Sequence, residues 1–189
     1  MNAMINCFFS IDTVSSGSIH SFSNSVGMTL QNCDHENLSA ELFALSEIIY
    51  NKIVEFNNKS GELGLIAEQK ELLLNSWCSI LQPLFIRMDD QNITEQMLEV
   101  FIDLAVNTFQ QFNKVMNGGL FILHGLVYSV GERITPYINK FMAYITCSMR
   151  MENCDQMGTR MAAGLISDLC NSVQAPMAKW LNELVPLLK

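Results

Sequence analysis

The sequence predicts an all-α protein in which helical hairpins stack into a right-handed superhelical array, and three observations predict this fold class. Apolar residues recur at steps of three and four along almost the whole chain, as one face of a helix requires. Only four prolines and ten glycines interrupt the 189 residues. Part of the C-terminal half also repeats at a fixed interval, which is typical of repeat architectures.

The predicted helices are separated by polar or glycine-containing turns. The second helix is weak, because serine and asparagine are frequent in it and Gly27 interrupts it. Pro83 is expected to kink the fourth helix or to mark a shorter end, because proline removes a backbone donor. The sequence Asn117-Gly118-Gly119 is expected to end the fifth. The nine predicted helices cover residues 3–15, 19–33, 38–56, 65–88, 93–112, 120–130, 135–149, 156–173 and 176–189.

Two other prolines mark helix starts. Thr135 is expected to be an N-cap with Pro136 at the first helical position, where the missing N–H of proline would have no partner in any case. Pro176 suits the same position at the start of the ninth helix. No segment of the sequence shows the period-two alternation of a strand.

Composition narrows the function. The chain is 49% hydrophobic and 16% charged, so it can bury a core and wholesale disorder is excluded. Its net charge of −8 argues against a nucleic-acid-binding protein and suits basic protein partners. The six cysteines form no C-x-x-C pair, so free thiols are expected. The start has no secretory signal and no apolar run approaches the roughly 18 residues of a membrane span, so membrane insertion is not expected.

An internal repeat sets the period. Placing Gly125 on Gly164, an offset of 39 residues (164 minus 125), aligns seven positions of like chemistry across one helix, a short turn and the next helix. A period near forty with two helices per unit is the signature of HEAT or armadillo repeats, and a chance coincidence of two amphipathic hairpins is the alternative. Close approach of a paired helix would explain both glycines, as would an ordinary small-residue contact. The aligned pairs are Gly125 with Gly164, Leu126 with Leu165, Val127 with Ile166, Val130 with Leu169, Ile134 with Val173, Phe141 with Trp180, and Ile145 with Leu184.

The C-terminal third resembles a known family. Residues 161–173, Met-Ala-Ala-Gly-Leu-Ile-Ser-Asp-Leu-Cys-Asn-Ser-Val, are similar to the second helix of a HEAT repeat in importin β, the nuclear import receptor. Residues 136–144 are similar to the first helix of that repeat and depart from it at Ala143, where the family often has proline. Residues 120–131 and, more loosely, 3–14 resemble helices of other repeats. The resemblance is good from Ile93 onward and poor over residues 19–64.

The resemblance implies a binding scaffold without catalysis. In that family the first helices line the convex outer face and the second helices line the concave inner face. The implied partners are basic import signals or an importin-α-like adaptor, the GTPase Ran, and Phe-Gly nucleoporins in grooves between outer helices. The implied location is the cytoplasm, the nucleus and the nuclear pore. Residues 1–189 would form a single array of about four to five repeats, best defined over 93–189 and a fragment of a longer solenoid.

Acidic and aromatic side chains are the candidate partner contacts. Five carboxylates fall on or beside helices that we place on the inner face, where they would attract a basic segment; a solvated surface is the alternative for each. Trp77 is a candidate cation–π anchor for that segment, or a core residue. Tyr137, Phe141 and Tyr144 are candidates for the edge of a Phe-Gly groove, or for contacts between helices. The carboxylates are those of Glu68, Glu71, Glu132, Asp155 and Asp168, the last of which could instead bond a neighbouring repeat.

Side chains that could support catalysis or metal binding are scattered. His124 lies on an apolar helix face, as satisfied histidines do, and Cys33-Asp34-His35-Glu36 lacks a second ligand cluster, so no metal site is expected. No acid–base pair, nucleophile constellation or phosphate loop is visible, so neither a cofactor nor an enzyme is expected. Two alternatives stay open: another HEAT-repeat scaffold, such as a phosphatase regulatory subunit or an assembly factor, and a compact α-helical enzyme.

Overall fold

The computed structural model of the chain describes residue 21 and residues 24–29, 39–59, 64, 66–88, 90–110, 117–150 and 156–188. Within these ranges nearly every residue is helical and none lies in a β-strand, which confirms the all-α prediction. The α-helices are α1 (Ser39–Lys59), α2 (Ala67–Arg87), α3 (Glu95–Gln110), α4 (Asn117–Val130), α5 (Ile138–Ser148), α6 (Gln156–Val173) and the short α7 (Leu181–Leu184). Four 3-10 helices cover Asp90–Asn92, Gly131–Tyr137, Ala175–Trp180 and Val185–Leu188.

The helices pack as consecutive hairpins in two layers. Helix α1 pairs with α2, α3 with α4, and α5 with α6. The second helices of these hairpins contact one another, with α4 between α2 and α6, and the first helices α3 and α5 are also in contact. Each hairpin has an apolar face that it cannot bury alone, so the core runs along the array. Its largest fully buried side chains include those of Ile49, Ile53, Leu74, Phe85, Leu98 and Phe141.

Glycines allow α4 to approach its neighbours closely. A Cβ atom at Gly125 would lie 2.8 Å from the carbonyl oxygen of Gln82 on α2. A Cβ atom at Gly119 would lie 2.8 Å from the carbonyl oxygen of Ala105 on α3. Side-chain carbons do not approach backbone atoms this closely, so the spacing of the three helices depends on the two glycines. The predicted close approach is therefore confirmed at Gly125.

The sequence Asn117-Gly118-Gly119 begins α4, so the prediction that it ends the preceding helix was wrong. The N–H of Gly118 lies in the first turn, where it has no partner within its own helix. It donates instead to Oδ1 of Asn75 on α2, over 2.6 Å. Pairing with another helix, together with the close approach at Gly119, explains why two adjacent glycines begin a helix here.

The structure excludes one of the two alternatives for Pro83 and corrects the prediction for Thr135. Helix α2 continues through Pro83 to Arg87, so the helix does not end early. Thr135 is not an N-cap: its Oγ1 donates to the carbonyl oxygen of Glu132 over 2.6 Å, inside the 3-10 helix Gly131–Tyr137 that also contains Pro136. Helix α5 begins only after that 3-10 helix. Pro176 does lie at the start of a helical segment, the 3-10 helix Ala175–Trp180.

The other predicted boundaries agree with the structure to different degrees. Helix α6 covers the predicted residues 156–173, and α1 extends three residues beyond the predicted end at residue 56. The predicted ninth helix is helical but mostly of the 3-10 type. The first predicted helix lies outside the described residues. Of the second, residues 21 and 24–29 are described and are helical.

The helix ends show a repeat of 43 residues. Helices α2, α4 and α6 end at Arg87, Val130 and Val173, which are 43 residues apart in each case (130 minus 87, and 173 minus 130). The predicted offset of 39 is four residues shorter, which is close to one helical turn, so it keeps the same helix face. As a result, both residues are buried in five of the six predicted pairs that do not contain glycine. In the sixth pair, Phe141 is buried and Trp180 is half-buried.

The four-residue difference accounts for Gly164. In the 43-residue register this glycine no longer aligns with Gly125. A Cβ atom at Gly164 would meet nothing within 4 Å. The predicted close approach at Gly164 was therefore wrong, and this glycine is not required for packing.

Candidate functional site

The array presents two surfaces. We call the accessible side chains of α1, α3, α5 and the Gly131–Tyr137 helix the first-helix surface, and those of α2, α4 and α6 the second-helix surface. Within the described ranges, α1, α3 and α5 carry six carboxylates and the Gly131–Tyr137 helix adds Glu132, whereas α2, α4 and α6 carry three. Negative charge is therefore concentrated on the first-helix surface. The six are Glu41, Glu47, Glu55, Glu95, Glu99 and Asp103, and the three are Glu68, Glu71 and Asp168.

Arg133 joins two repeats on the first-helix surface. Its guanidinium donates to Oδ1 and to the carbonyl oxygen of Asp90 at 2.6 and 2.8 Å, and to Oε1 of Glu95 at 2.6 and 2.9 Å. It also donates to the carbonyl oxygen of Ile93 at 2.6 Å. The bonds to Glu95 and then to Asp90 raise the pKa of Arg133. One planar side chain thus holds the end of the α2–α3 turn against the turn that follows α4.

Lys140 of α5 makes a second charged link to α3. Its Nζ lies 3.0 Å from Oδ1 of Asp103 and 3.4 Å from Oε1 of Glu99. It also lies 5.6 Å from the centre of the Tyr137 ring. The hydrogen bond to Asp103 is the main reason that the pKa of Lys140 is raised. Lys140 therefore links α5 to α3 across the junction between these two first helices.

Lys179 makes a similar link from the following 3-10 helix, Ala175–Trp180, back to α5. Its Nζ donates to Oδ1 of Asn139 on α5 over 2.6 Å and lies 5.6 Å from the centre of the Trp180 ring. A signal for these links was present in the sequence, since the dipeptides Lys140-Phe141 and Lys179-Trp180 are 39 residues apart.

The three aromatic candidates lie on α5 and the turn before it, in different environments. Tyr137 is half-buried, and its hydroxyl donates to Oε2 of Glu95 over 3.4 Å. Burial is the main reason that the pKa of Tyr137 is raised. Tyr144 is half-buried and stacks on Phe109 of α3, with ring centres 5.1 Å apart. Phe141 has no exposed surface and belongs to the core. This agrees with the alternative that it makes contacts between helices rather than edging a groove.

An open groove of about 770 Å³ lies on the second-helix surface. Residues 24–29, α2, α4 and the start of α6 contribute to its walls. Three large apolar side chains on its rim are strongly exposed: Met28 (65%), Met157 (53%) and Leu72 (44%). Among its described lining residues, Glu71 is the one that carries a charge. The groove can therefore offer apolar contacts with a carboxylate near one end.

The predicted carboxylates are not gathered at one place. Glu68 is exposed in the first turn of α2, one turn before Glu71. Glu132 is exposed on the turn after the C-terminal end of α4, at the opposite end of the parallel helices from Glu68 and Glu71. Asp155 lies outside the described residues. Trp77 is half-buried and packs against the core from the middle of α2.

A chain of polar side chains crosses the second helices, and the sequence predicted it only in part. Gln82 of α2 places Nε2 3.0 Å from Nδ1 of His124 on α4, and Nε2 of His124 lies 3.2 Å from Oδ2 of Asp168 on α6. The expected bond from Asp168 to a neighbouring repeat is thus confirmed, with His124 as its partner. We call these three residues the Gln82–His124–Asp168 chain.

Metal and thiol chemistry find little support in the described ranges. No group of three or more histidine, cysteine or acidic side chains there could hold a metal ion. The cluster Cys33-Asp34-His35-Glu36 lies outside them. Cys78, Cys147 and Cys170 are free thiols, and burial raises the pKa of Cys78. None of the described helices combines the length and the apolar character that crossing a membrane requires.

Comparison with known proteins identifies the family. The sequence matches the family described as "Importin subunit beta-1-like, TPR repeats" over residues 51–189. The chain belongs to this family. No protein of curated function matches the sequence significantly. The family and the fold are those of a transport-receptor scaffold rather than of an enzyme.

The fold is also similar to that of importin β in a crystal structure obtained in a polyethylene glycol condition. The TM-score is 0.81 over 95% of this chain, at 17% sequence identity. At this identity the likeness shows the fold alone, and it confirms the predicted HEAT-repeat solenoid. The chain spans 22% of the length of that importin β chain.

Proposed function

We propose that this importin β-1-like chain is a binding scaffold in nuclear import, working in the cytoplasm, in the nucleus and at the nuclear pore. The observation that carries the proposal is the family match over residues 51–189. The two-layer array supports it, because stacked hairpins present long surfaces of each layer to extended protein partners. The partners are basic import signals or an importin-α-like adaptor, the GTPase Ran, and Phe-Gly nucleoporins.

The second-helix surface is the proposed site for a basic segment. Glu68 and Glu71 stand at the N-terminal end of α2, and Glu71 also lines the groove beside Leu72. Carboxylates at a groove with apolar walls would select a peptide that combines lysine or arginine with apolar side chains. Trp77, in the middle of α2, extends the same proposal along this surface. Glu132, on the Gly131–Tyr137 helix that follows α4, is proposed to add a carboxylate beyond its far end.

Binding of a fluorescent Lys/Arg-rich peptide to the 189-residue chain tests this site. Replacing both carboxylates, Glu68→Gln with Glu71→Gln, should weaken binding about fivefold, as the loss of about 1 kcal/mol implies. The matched control replaces two exposed carboxylates of α1, Glu41→Gln with Glu47→Gln, and should leave the affinity unchanged. Equal weakening by both pairs would show a general charge effect and would reject this site.

The groove between α3 and α5 is the proposed site for Phe-Gly segments. Tyr137 and Tyr144 are half-buried there, and Phe109 stacks on Tyr144. Tyr137→Ala should weaken binding of a Phe-Gly peptide, because it removes an aromatic wall of the groove. Tyr128→Ala is the control, since Tyr128 is an exposed tyrosine of α4 on the opposite layer. Unequal effects in favour of Tyr137 support the proposal, and a larger effect of Tyr128 contradicts it.

Ran provides the third assay. We expect the chain, or a longer protein that contains it, to bind Ran loaded with GTP more tightly than Ran loaded with GDP in a pull-down. Failure of the longer protein to bind Ran–GTP, basic peptides and Phe-Gly peptides would reject a role in import and favour another kind of helical scaffold.

A further inference from the structure

The Gln82–His124–Asp168 chain crosses the second-helix surface. Its side chains come from three successive second helices, so it spans two junctions between repeats. The side chains of His124 and Asp168 are 27% and 35% exposed, so water and protons reach them. The 3.0 Å contact with Gln82 is a hydrogen bond, and the 3.2 Å contact places Oδ2 of Asp168 within ion-pair distance of Nε2.

The two neighbours fix which ring nitrogen of a neutral His124 carries the proton. A carboxylate only accepts, so Nε2 must be protonated to bond Asp168. Nδ1 is then an acceptor, and the amide Nε2 of Gln82 is its donor. A neutral His124 therefore satisfies both junctions at once, as an Nε2–H tautomer.

Protonation changes the two junctions in opposite ways. A doubly protonated ring donates at both nitrogens, so the contact with Asp168 becomes an ion pair. The amide nitrogen of Gln82 can no longer donate to Nδ1, and the amide must turn to present its oxygen or lose the bond. Histidine is the side chain whose protonation is changed most readily by mild acid, so acidification can compare the two arrangements.

We propose that the Gln82–His124–Asp168 chain is a protonation-sensitive link between three successive second helices. Neutral His124 contacts both neighbours. When the imidazole takes up a proton, the α4–α6 junction gains an ion pair and the Gln82 amide reorients. The link lies on the surface proposed to bind partners, but it does not depend on that proposed function.

Few other charged groups in the described part of the chain lie near this link. Helix α4 itself carries no acidic or basic residue besides His124, and Glu132 follows it by two residues. The charged residue nearest in the chain to Gln82 on α2 is Arg87, and the one nearest to Asp168 on α6 is Arg160, two turns earlier. The three carboxylates of α3 are exposed, and all of them bond Arg133 or Lys140 on the first-helix surface. Asp168 is therefore the charged partner that decides the effect of protonation.

Nuclear magnetic resonance of the ¹⁵N-labelled full chain tests the proposal directly. At pH 8 the two imidazole ¹⁵N shifts of His124 should identify the Nε2–H tautomer. On acidification the side-chain amide signals of Gln82 should move with the same midpoint as the Nδ1 signal of His124. A dominant Nδ1–H tautomer at pH 8, or a Gln82 amide that does not respond, would overturn the proposal.

Thermal melting separates the ion pair from a structural role of Asp168. Asp168→Asn keeps the size of the side chain and an acceptor for Nε2–H, so it should change Tm little at pH 8. At pH 5.5 it should lower Tm by about 2 °C, since the ion pair is lost. Ser167→Ala, at the exposed neighbouring position, is the control and should behave alike at both pH values. An Asp168→Asn effect of the same size at both pH values contradicts the link.

Discussion

Neighbouring repeats are joined by different forces in the two layers of the array. On the first-helix surface Arg133 and Lys140 cross to the preceding repeat with long, partly exposed side chains. In the layer of second helices, glycines bring α4 to within backbone contact of α2, and mostly uncharged groups complete the junction. The first kind of junction is adjustable and sensitive to salt, whereas the second depends on shape.

The comparison has a consequence for where substitutions are tolerated. A long charged side chain can find another partner nearby, and ion pairs at exposed positions contribute about 0–1 kcal/mol each. A helix in backbone contact cannot move locally without disturbing the packing of its neighbours. Four experiments, from the largest expected effect to the smallest, test this difference between the layers.

Gly125→Ala should have the largest effect on stability. The new Cβ would meet the backbone of Gln82, so α2 and α4 must separate, at a cost of about 1–3 kcal/mol measured by urea unfolding. Gly164→Ala is the matched control, because nothing lies within 4 Å of its Cβ position and alanine favours a helix by about 1 kcal/mol. It should stabilise the protein. Similar destabilisation by both changes would mean that glycine contacts do not set the α2–α4 spacing.

Alkaline pH should weaken the α2–α4 junction through Cys78. This thiol is fully buried in α2, and burial raises its pKa above the ordinary value of 9.0, so the folded state holds the proton more tightly than the unfolded state does. The resulting stability is complete below about pH 9 and is lost as pH rises further, by about 1.4 kcal/mol per pH unit. Cys78→Ala lacks this titration, so its unfolding free energy should fall less between pH 9 and 10. Parallel curves for the two proteins would contradict the prediction.

Arg133→Ala should destabilise the first-helix layer by about 1 kcal/mol in low salt, because a network of charged hydrogen bonds is lost. The difference from the natural protein should shrink in 1 M NaCl, where the Debye length is about 3 Å. The cost of Gly125→Ala should stay constant under the same conditions. Arg133→Lys is expected to restore only part of the loss, because lysine cannot reproduce the planar fork. A salt-independent effect of Arg133→Ala would remove the distinction between the layers.

The smallest expected effect on stability concerns the residues that follow α4 and α6. Helix α4 is followed by Gly131 at φ +53°, and α6 is followed by Gln174 at φ +36°, a left-handed conformation that favours glycine. Gln174→Gly should therefore stabilise the protein by up to about 1 kcal/mol, and Gly131→Ala should destabilise it by a similar amount. Differential scanning calorimetry of the two variants measures both shifts. A lower Tm for Gln174→Gly would show that its side chain contributes more than its backbone conformation costs.

Much of the fold was predictable because apolar periodicity depends only on the sequence. The limits of α6 and the burial of Leu126, Leu165 and Ile145 follow from helical spacing. The register was not predictable at the same level, since offsets of 39 and 43 residues place the same faces inward. Helix ends separate the two offsets: the predicted ends at residues 130 and 173 already lie 43 residues apart, whereas the alignment of the two glycines selected 39.

The polar links between repeats were harder to predict for a related reason. Gln82 and His124 are 42 residues apart and His124 and Asp168 are 44 apart, so their pairing depends on the register. Asp168 was recognised as a possible inter-repeat contact, but its partner was not. The predicted carboxylates were chosen for their charge and for the resemblance to a known family. Neither ground requires them to lie close together in space, and their binding roles stay predictions.

The glycine contacts of α4 also decide how the array can deform. Two helices whose backbones are in contact can rotate about the line of contact but cannot come closer. The repeats of the opposite layer are joined by long side chains, which can extend or give up their ion pairs. A repeat is therefore expected to rotate about the α2–α4 contact while the first helices move apart or together. The array is thus expected to bend more easily in this direction than in others.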